Sequence, residues 1–343
     1  LSTPAAAAPP RLLENAKLTT RAVPPSGLES ELRALGSGDA VWAAYAVPGI
    51  AAQHVCCFES IDKAGKDAFC CGGCRLETEG AFFETGREKG RQLERGRDLF
   101  VFYRLARGTP SRIRVFSEDC SLDAGGAAVV WLTGVSAEES VAYLSRLVRR
   151  DFDEDGLSGK ALTALALHEG NAAEAALKGF VGPGHPFDLR KSAAFWLGSS
   201  HGRAGYDALK SVVGEGSSPE FRREATFAFS ESPVPEAIDT LVAMARDDSD
   251  GEVRGQALFW LAQKAGEKAT ATIDKALRDD PDDEVRVKAV FALSQLPKDE
   301  GIPRLIRLAR SHQSAEVREQ AFFWLGQSRD RRALDFIEDV LTR

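Results

Sequence analysis

The chain of 343 residues is poor in most of the features that would fix a function. No apolar run approaches the ~18 to 20 residues that a membrane helix requires, so no membrane span is expected. The His-Glu-x-x-His helix, the phosphate loop and the dinucleotide fingerprint are all missing. Gly156-Leu157-Ser158-Gly159-Lys160 lacks the spacing of a phosphate loop. Without a Cys-x-x-Cys-His, covalent haem is excluded. His54, His185, His201 and His312 have no carboxylate or cysteine partner evident in the sequence. The expectation is a protein that is not an enzyme and carries no cofactor.

Two further scarcities are positional. The only methionine is Met244, and the chain starts at Leu1 with an Ala/Pro-rich stretch. That reads as a mature N-terminus left by signal-peptide removal, although a truncated chain would look the same. Cysteine is absent after residue 120, and all six stand at or before it: Cys56, Cys57, Cys70, Cys71, Cys74 and Cys120. An even number confined to one region suits disulfides and an oxidising compartment, periplasmic or secreted. The net charge is −7, and residues 1–135 are balanced at 16 Lys+Arg against 16 Asp+Glu. The acidic excess therefore lies in the C-terminal part, which repels phosphate backbones and argues against nucleic acid as a partner.

What is present divides the chain in three. Residues 1–38 are rich in Ala, Pro, Ser and Gly, with one short helical pattern at Leu28–Leu35, and read as a tail or strap. Residues 39–135 carry short β-prone runs at 41–47, 54–58, 99–107, 113–116 and 127–132, separated by turns such as Gly108-Thr109-Pro110 and Gly125-Gly126. They predict a small, cysteine-containing β-rich domain. Residues 136–343 predict an α-solenoid, a capping helix at 136–150 followed by six helical hairpins.

The solenoid rests on a 32-residue period. Arg190, Arg222, Arg254, Arg286 and Arg318 form one column, and Ala193, Ala225, Ala257, Ala289 and Ala321 follow three positions later. Phe195, Phe227, Phe259, Phe291 and Phe323 stand five positions after each Arg. The second helices keep register through Leu209, Leu241, Ile273, Leu305 and Ile337. One period before Arg190, Ser158 replaces the Arg, while Ala161, Leu165 and Leu177 still fit. Ser218, Asp250, Asp282 and Ser314 occupy the N-cap column, and Glu220, Glu252, Glu284 and Glu316 follow in the first turn.

The strings DGEVRGQALFWLAQ (from Asp250), DDEVRVKAVFALSQ (from Asp282) and SAEVREQAFFWLGQ (from Ser314) resemble HEAT repeats, specifically the short bacterial kind of phycobilin lyases. The resemblance covers about residues 150–343. It implies a structural role for the arginine column, each guanidinium reaching an Asp or a backbone group near the inter-repeat turn. It does not carry over activity. Chromophore attachment is not conferred by the fold, and deoxyhypusine hydroxylases hold two irons with several His-Glu pairs. This chain has five histidines and one such pair, His168-Glu169. Residues 39–135 resemble no named family.

Four groups of residues compete for a functional role. At ~100° per residue the Phe column points nearly opposite the apolar face. It predicts either a stacked ladder in the seam between first helices or an exposed ridge for a partner or self-assembly. Trp196, Trp260 and Trp324, one position on, belong to the core-facing side. Cys71-Gly72-Gly73-Cys74 has the spacing of a zinc knuckle or redox pair but lacks a second knuckle, so structural disulfides are preferred, with a metal or redox protein as an alternative. Asp151-Phe152-Asp153-Glu154-Asp155-Gly156 opens like a calcium loop, yet Leu162 stands where the bidentate Glu belongs, so capping acids are preferred. Finally, second helices of stacked hairpins line a concave recognition face. Its candidates are Asp207, Lys210, Asp239, Asp274, Lys275, Arg304, Arg307 and Asp335. The expectation is a scaffold that binds a protein or peptide, with a self-assembling structural protein as the alternative.

Overall fold

A computed structural model describes residues 9–11, 13–50, 59–61, 68–70, 73–78, 81–82, 91–92, 98–117, 120–149, 151–214, 216–264 and 266–342. The chain forms two compact units, Leu1–Ala193 and Ala194–Arg343.

The first unit is built on β1 (Leu13–Glu14), β2 (Lys17–Ala22), β3 (Val41–Pro48), β4 (Glu59–Ile61), β5 (Ala68–Cys70), β6 (Gly73–Arg75), β7 (Ala81–Phe82), β8 (Arg91–Gln92), β9 (Asp98–Ala106), β10 (Thr109–Ser117), β11 (Leu122–Asp123) and β12 (Ala128–Thr133). Its helices are α1 (Leu28–Leu35), α2 (Ala137–Val148), α3 (Leu157–Ala166) and α4 (Asn171–Val181). The central sheet has the order β10-β9-β3-β12-β2. β9 and β10 form a hairpin whose two turn residues, Arg107 and Gly108, both have positive φ, as a tight turn matching the strand twist requires. Residues in the stretch read as a tail or strap supply β1, the edge strand β2 and α1.

Strand alternation assigns the two faces of this sheet. Trp42, Ala44, Phe100, Phe102, Phe116, Val129 and Trp131 pack with Cys74, Leu76, Cys120 and Leu122 in one apolar cluster. The intervening residues Ala43, Tyr45, Val47, Val101, Tyr103 and Leu105 are buried on the other face, which α1, α2 and α3 touch. Both faces of β3, β9 and β12 are covered, so these three inner strands are apolar almost throughout.

The hairpins continue with α5 (Phe187–Ser200), which crosses the division between the units. The second unit then contains α6 (Gly202–Val212), α7 (Pro219–Ser230), α8 (Glu236–Asp247), α9 (Gly251–Lys264), α10 (Gly266–Asp279), α11 (Asp283–Gln295), α12 (Lys298–Ser311), α13 (Ala315–Gln327) and α14 (Arg331–Leu341). The cap column acts as such: Ser218, Asp250, Asp282 and Ser314 accept from the amides of Phe221, Val253, Glu284 and Val317. Ala225, Ala257, Ala289 and Ala321 are wholly buried, and so are Leu241, Ile273 and Leu305 on the second helices. Each buried aliphatic side chain contributes about 1.5–3 kcal/mol, and the period repeats that gain in every hairpin. A second small column, Gly205, Ala237, Ala269, Gly301 and Ala333, opens the second helices. A Cβ at Gly301 would stand 2.5 Å from the Leu293 carbonyl oxygen, so α12 starts against the end of α11.

Candidate functional site

The arginine column is a set of buried ties. Arg222 donates through Nε and Nη2 to both oxygens of Asp248, each at 2.8 Å, and Arg254 grips Asp280 with the same two distances. Each aspartate lies 26 residues after its arginine, in the turn that leads to the next hairpin. Arg254 also donates to the Asp248 carbonyl oxygen at 2.8 Å, so one turn receives two successive arginines. Burial pushes the Asp248 carboxyl up, but the Arg222 fork and the Asp250 amide outweigh it and leave its pKa lowered. Position 312 breaks the pattern. His312 stands where the third aspartate would, and Arg286 turns instead to Asp283 and the Asp280 carbonyl oxygen. Arg318 donates to the His312 and Gln313 carbonyl oxygens at 2.6 and 3.0 Å, and Arg190 to that of Val181 at 3.0 Å. Arg222, Arg254, Arg286 and Arg318 thus bind carbonyls or carboxylates at the inter-repeat turns, and Arg190 binds the last carbonyl of α4.

The second helices of the second unit carry a ladder of surface ion pairs. Arg203 meets Glu236 at 2.5 Å, Lys268 meets Asp239 at 2.6 Å, Arg304 meets Asp274 at 3.6 Å and Arg332 meets Asp299 at 3.2 Å. One pair thus bridges each neighbouring couple of second helices, from α6 to α14. Asp207 and Asp335 are tied within their own helices to Arg203 and Arg331. The Lys210 ammonium lies 3.2 Å from the Tyr206 hydroxyl and over its ring. Lys275 and Arg307 are exposed and enter none of these pairs. The predicted recognition residues thus share one set of helices, and six of the eight are engaged by a neighbouring side chain, Asp274 and Arg304 by each other.

The phenylalanines form the ladder in the seam. Phe195 stacks on Phe227 at 5.6 Å and 14°, and Phe259 on Phe291 at 5.6 Å and 5°. Tryptophans join these couples: Phe227 meets Trp260, which meets Phe259, and Phe291 meets Trp324, which meets Phe323. Trp260 and Trp324, expected on the core-facing side, instead complete the ladder and are half-buried. Four of the five phenylalanines are half-buried, and Phe323 at the last rung is 53% exposed. A helical wheel treats the helix as a lone cylinder; the side opposite its own hairpin core is the side the neighbouring first helix covers.

In the first unit, the acidic loop is closed on itself. The Ser158 hydroxyl donates to the Asp151 and Asp153 carbonyl oxygens and receives the Asp153 amide, while Asp153 Oδ1 accepts from the Asp155 amide. Glu154 turns to Ser192 and Lys191. Among the described residues no group of three or more His, Cys, Asp or Glu has the arrangement of a metal site. Cys74 and Cys120 come together in the buried cluster under the sheet. Cys70 lies on β5, and Cys56, Cys57 and Cys71 are outside the described residues.

One polar constellation carries no signal in the sequence. Tyr103, Tyr45, Ser140 and His168 form a hydrogen-bonded row at 2.7, 2.6 and 2.7 Å, which ends on the Ala164 carbonyl oxygen at 2.7 Å. That carbonyl only accepts, so His168 Nδ1 carries the proton and Nε2 accepts from the Ser140 hydroxyl. The Tyr45 hydroxyl then donates to Ser140, and Tyr103 to Tyr45. Burial holds His168 neutral with a pKa of about 4, although the Ala164 carbonyl pulls the other way. Ser140 beside His168 has the distance of a nucleophile and its base. Yet all four side chains are at most 0% exposed, so no substrate reaches them, and the row serves to join β3 and β9 to α2 and α3. Its members are 28 to 95 residues apart, and no periodicity links them.

The likeness to solved structures is of low identity. The chain is similar to human deoxyhypusine hydroxylase in complex with glycerol, 17% identical over 59% of this chain and 90% of that one, with a TM-score of 0.28. It is also similar to the complex of CpcE and CpcF of phycocyanin lyase from Nostoc sp. PCC7120, 16% identical over 58% of this chain and 80% of that one, with a TM-score of 0.29. No curated protein matches the chain. Residues 184–262 and 270–343 match the profile of HEAT repeats, and the C-terminal part of this protein is a run of HEAT repeats preceded by a region of β-sheets.

Proposed function

We propose that this protein is an extracytoplasmic scaffold that acts by binding a protein or peptide on the second-helix face of its HEAT repeats, without chemistry of its own. The observation that carries this is the ladder of exposed ion pairs from Arg203 to Arg332. Exposed pairs contribute about 0–1 kcal/mol each, so their charges can be re-paired with those of a partner at little cost in stability. Charges of both signs in fixed register give such a surface selectivity more than raw affinity. The location is supported by cysteine usage. Cys74 and Cys120 are buried and disulfide-bonded, as suits an oxidising compartment.

The test is capture of a partner from the native extracytoplasmic fraction by the full chain and by a variant carrying Asp239→Lys, Asp274→Lys, Lys275→Glu and Arg307→Glu. Capture should be lost while the melting temperature moves by less than about 2 °C. Capture that survives all four reversals sinks the second-helix reading.

A further inference from the structure

The last two hairpins contain a cleft that the scaffold reading leaves unused. It has a volume of about 260 Å³ and lies among the end of α11, the start of α12 and the end of α13. Leu293, Leu296, Ile302 and Leu305 make its apolar part, and Trp324 borders it. Ser294, Gln295, Gln327 and Ser328 supply neutral polar groups, and Lys298 is the one charged residue in the lining.

The pattern of Trp260 and Trp324 makes a comparison possible, because the same place recurs 64 residues earlier. There Glu231 stands in the position of Gln295 and Lys264 in that of Ser328, and the two form an ion pair at 2.9 Å. Phe229 replaces Leu293 with a larger ring, and Val234, 8% exposed, takes the place of Lys298. The earlier position is thus occupied by its own side chains. Beside Trp324 the ion pair is deleted, the floor is smaller and a lysine has been added. Asp330, which senses the Lys298 charge, is already forked by Arg332 at 2.9 Å through both oxygens. The Lys298 carbonyl oxygen accepts from Arg332 at 3.1 Å, which fixes the turn that carries the ammonium.

An apolar recess with one cation and a neutral polar rim suits a ligand with one apolar group and one negative charge. The volume, just under the usual range of small-molecule sites, suits a single residue and not a long segment. The Ser294 and Ser328 hydroxyls donate to the Phe291 and Leu325 carbonyl oxygens, which leaves the amide of Gln327 to match the peptide group that precedes such a residue. We propose that this cleft binds the C-terminal residue of a peptide, its apolar side chain against Trp324, Leu296 and Ile302 and its carboxylate on Lys298. None of the lining residues is among the four charges reversed above, so the failure of either reading leaves the other standing.

The test is calorimetric titration of the full chain with N-acetyl-glycyl-leucine, its C-terminal amide and 4-methylpentanoate. The peptide acid should bind at least roughly tenfold more tightly than its amide and than the free acid, which lacks the peptide group. Lys298→Gln should weaken the peptide acid by roughly the same factor while leaving the amide unchanged. The double variant Gln295→Glu, Ser328→Lys writes the earlier ion pair into the cleft and should abolish binding while the chain keeps its helical circular dichroism. Equal affinity for acid and amide, unchanged binding in the double variant, or no binding of the peptide acid at about 10 mM would each overturn the proposal. A free acid that binds as tightly as the peptide would overturn it too, since the site would then take small carboxylates.

Discussion

The two compact units hide their polar groups in different ways. In residues 194–343 the buried charges come as copies: Arg222 with Asp248, then Arg254 with Asp280, the same fork, the same 2.8 Å bonds and the same spacing of 26 residues. In residues 1–193 the polar side chains with no exposure at all, Tyr45, Tyr103, Ser140 and His168, form a single neutral row. A repeated solution uses full charges where successive hairpins supply both partners at fixed register, as they do at Arg222 and Arg254. A single solution uses hydroxyls and an uncharged imidazole, whose burial costs less per group and whose every proton has an acceptor. The comparison teaches that periodic architecture copies a buried ion pair from one hairpin to the next, whereas the one-off row is built from neutral groups.

The largest expected effect breaks one copy of the periodic solution. Asp280→Ala leaves Arg254, 7% exposed, as an uncompensated buried cation. The loss should be about 3–5 kcal/mol, read from the urea midpoint of the full chain. Asp335→Ala, which removes one partner of an exposed pair, should cost under about 1 kcal/mol in the same assay. Equal losses at the two sites would end the distinction between ties and surface pairs.

The next effect tests the neutral row through pH. The folded pKa of His168 is about 4, below its ordinary 6.5, so the unfolded chain takes up the proton first as the pH falls. Its contribution is fully present above pH 6.5, declines between 6.5 and 4, and levels off below 4. The total is about 3 kcal/mol, since one pKa unit corresponds to about 1.4 kcal/mol. Carboxylates titrate near the lower end, so the quantity to measure is the difference between the native chain and His168→Gln. A difference that does not change across this window would show that His168 is not buried neutral.

How much of this was legible follows the same division. The 32-residue columns, the caps and the helical half of the chain could be read because a period repeats each signal. Asp248 and Asp280 share that period, but they lie in acidic turns where capping acids are equally expected, and their roles as arginine partners are visible only once α8 and α10 are folded back. The edge strand β2 has six exposed residues and no alternation, so nothing marked Lys17–Ala22 as a strand. The tryptophans were misplaced because one helix was considered without its neighbour. Ser140 and His168 could not be paired at all, since a sheet and two helices must assemble before they meet. The second-helix charges were legible as a set, while their cross-hairpin pairing depends on side-chain reach.

The smallest expected effect repairs the one imperfect copy. His312 occupies the column of Asp248 and Asp280, and its Nδ1 accepts the Ser314 amide at 3.2 Å, just as those aspartates accept the amides of Asp250 and Asp282 at 3.0 Å. His312→Asp keeps an acceptor for that amide and places a carboxylate 26 residues after Arg286, where the other arginines find theirs. It forfeits the contact of Nε2 with the Leu277 carbonyl oxygen at 3.2 Å, and Arg286 already has Asp283, so the net gain should be modest, about 1 kcal/mol. The gain should vanish when Arg286→Gln is added, which a double-mutant cycle on urea midpoints resolves. A neutral or destabilising His312→Asp would mean that the fork is not portable between hairpins, and that Asp248 and Asp280 depend on more of their surroundings than the register of the repeat.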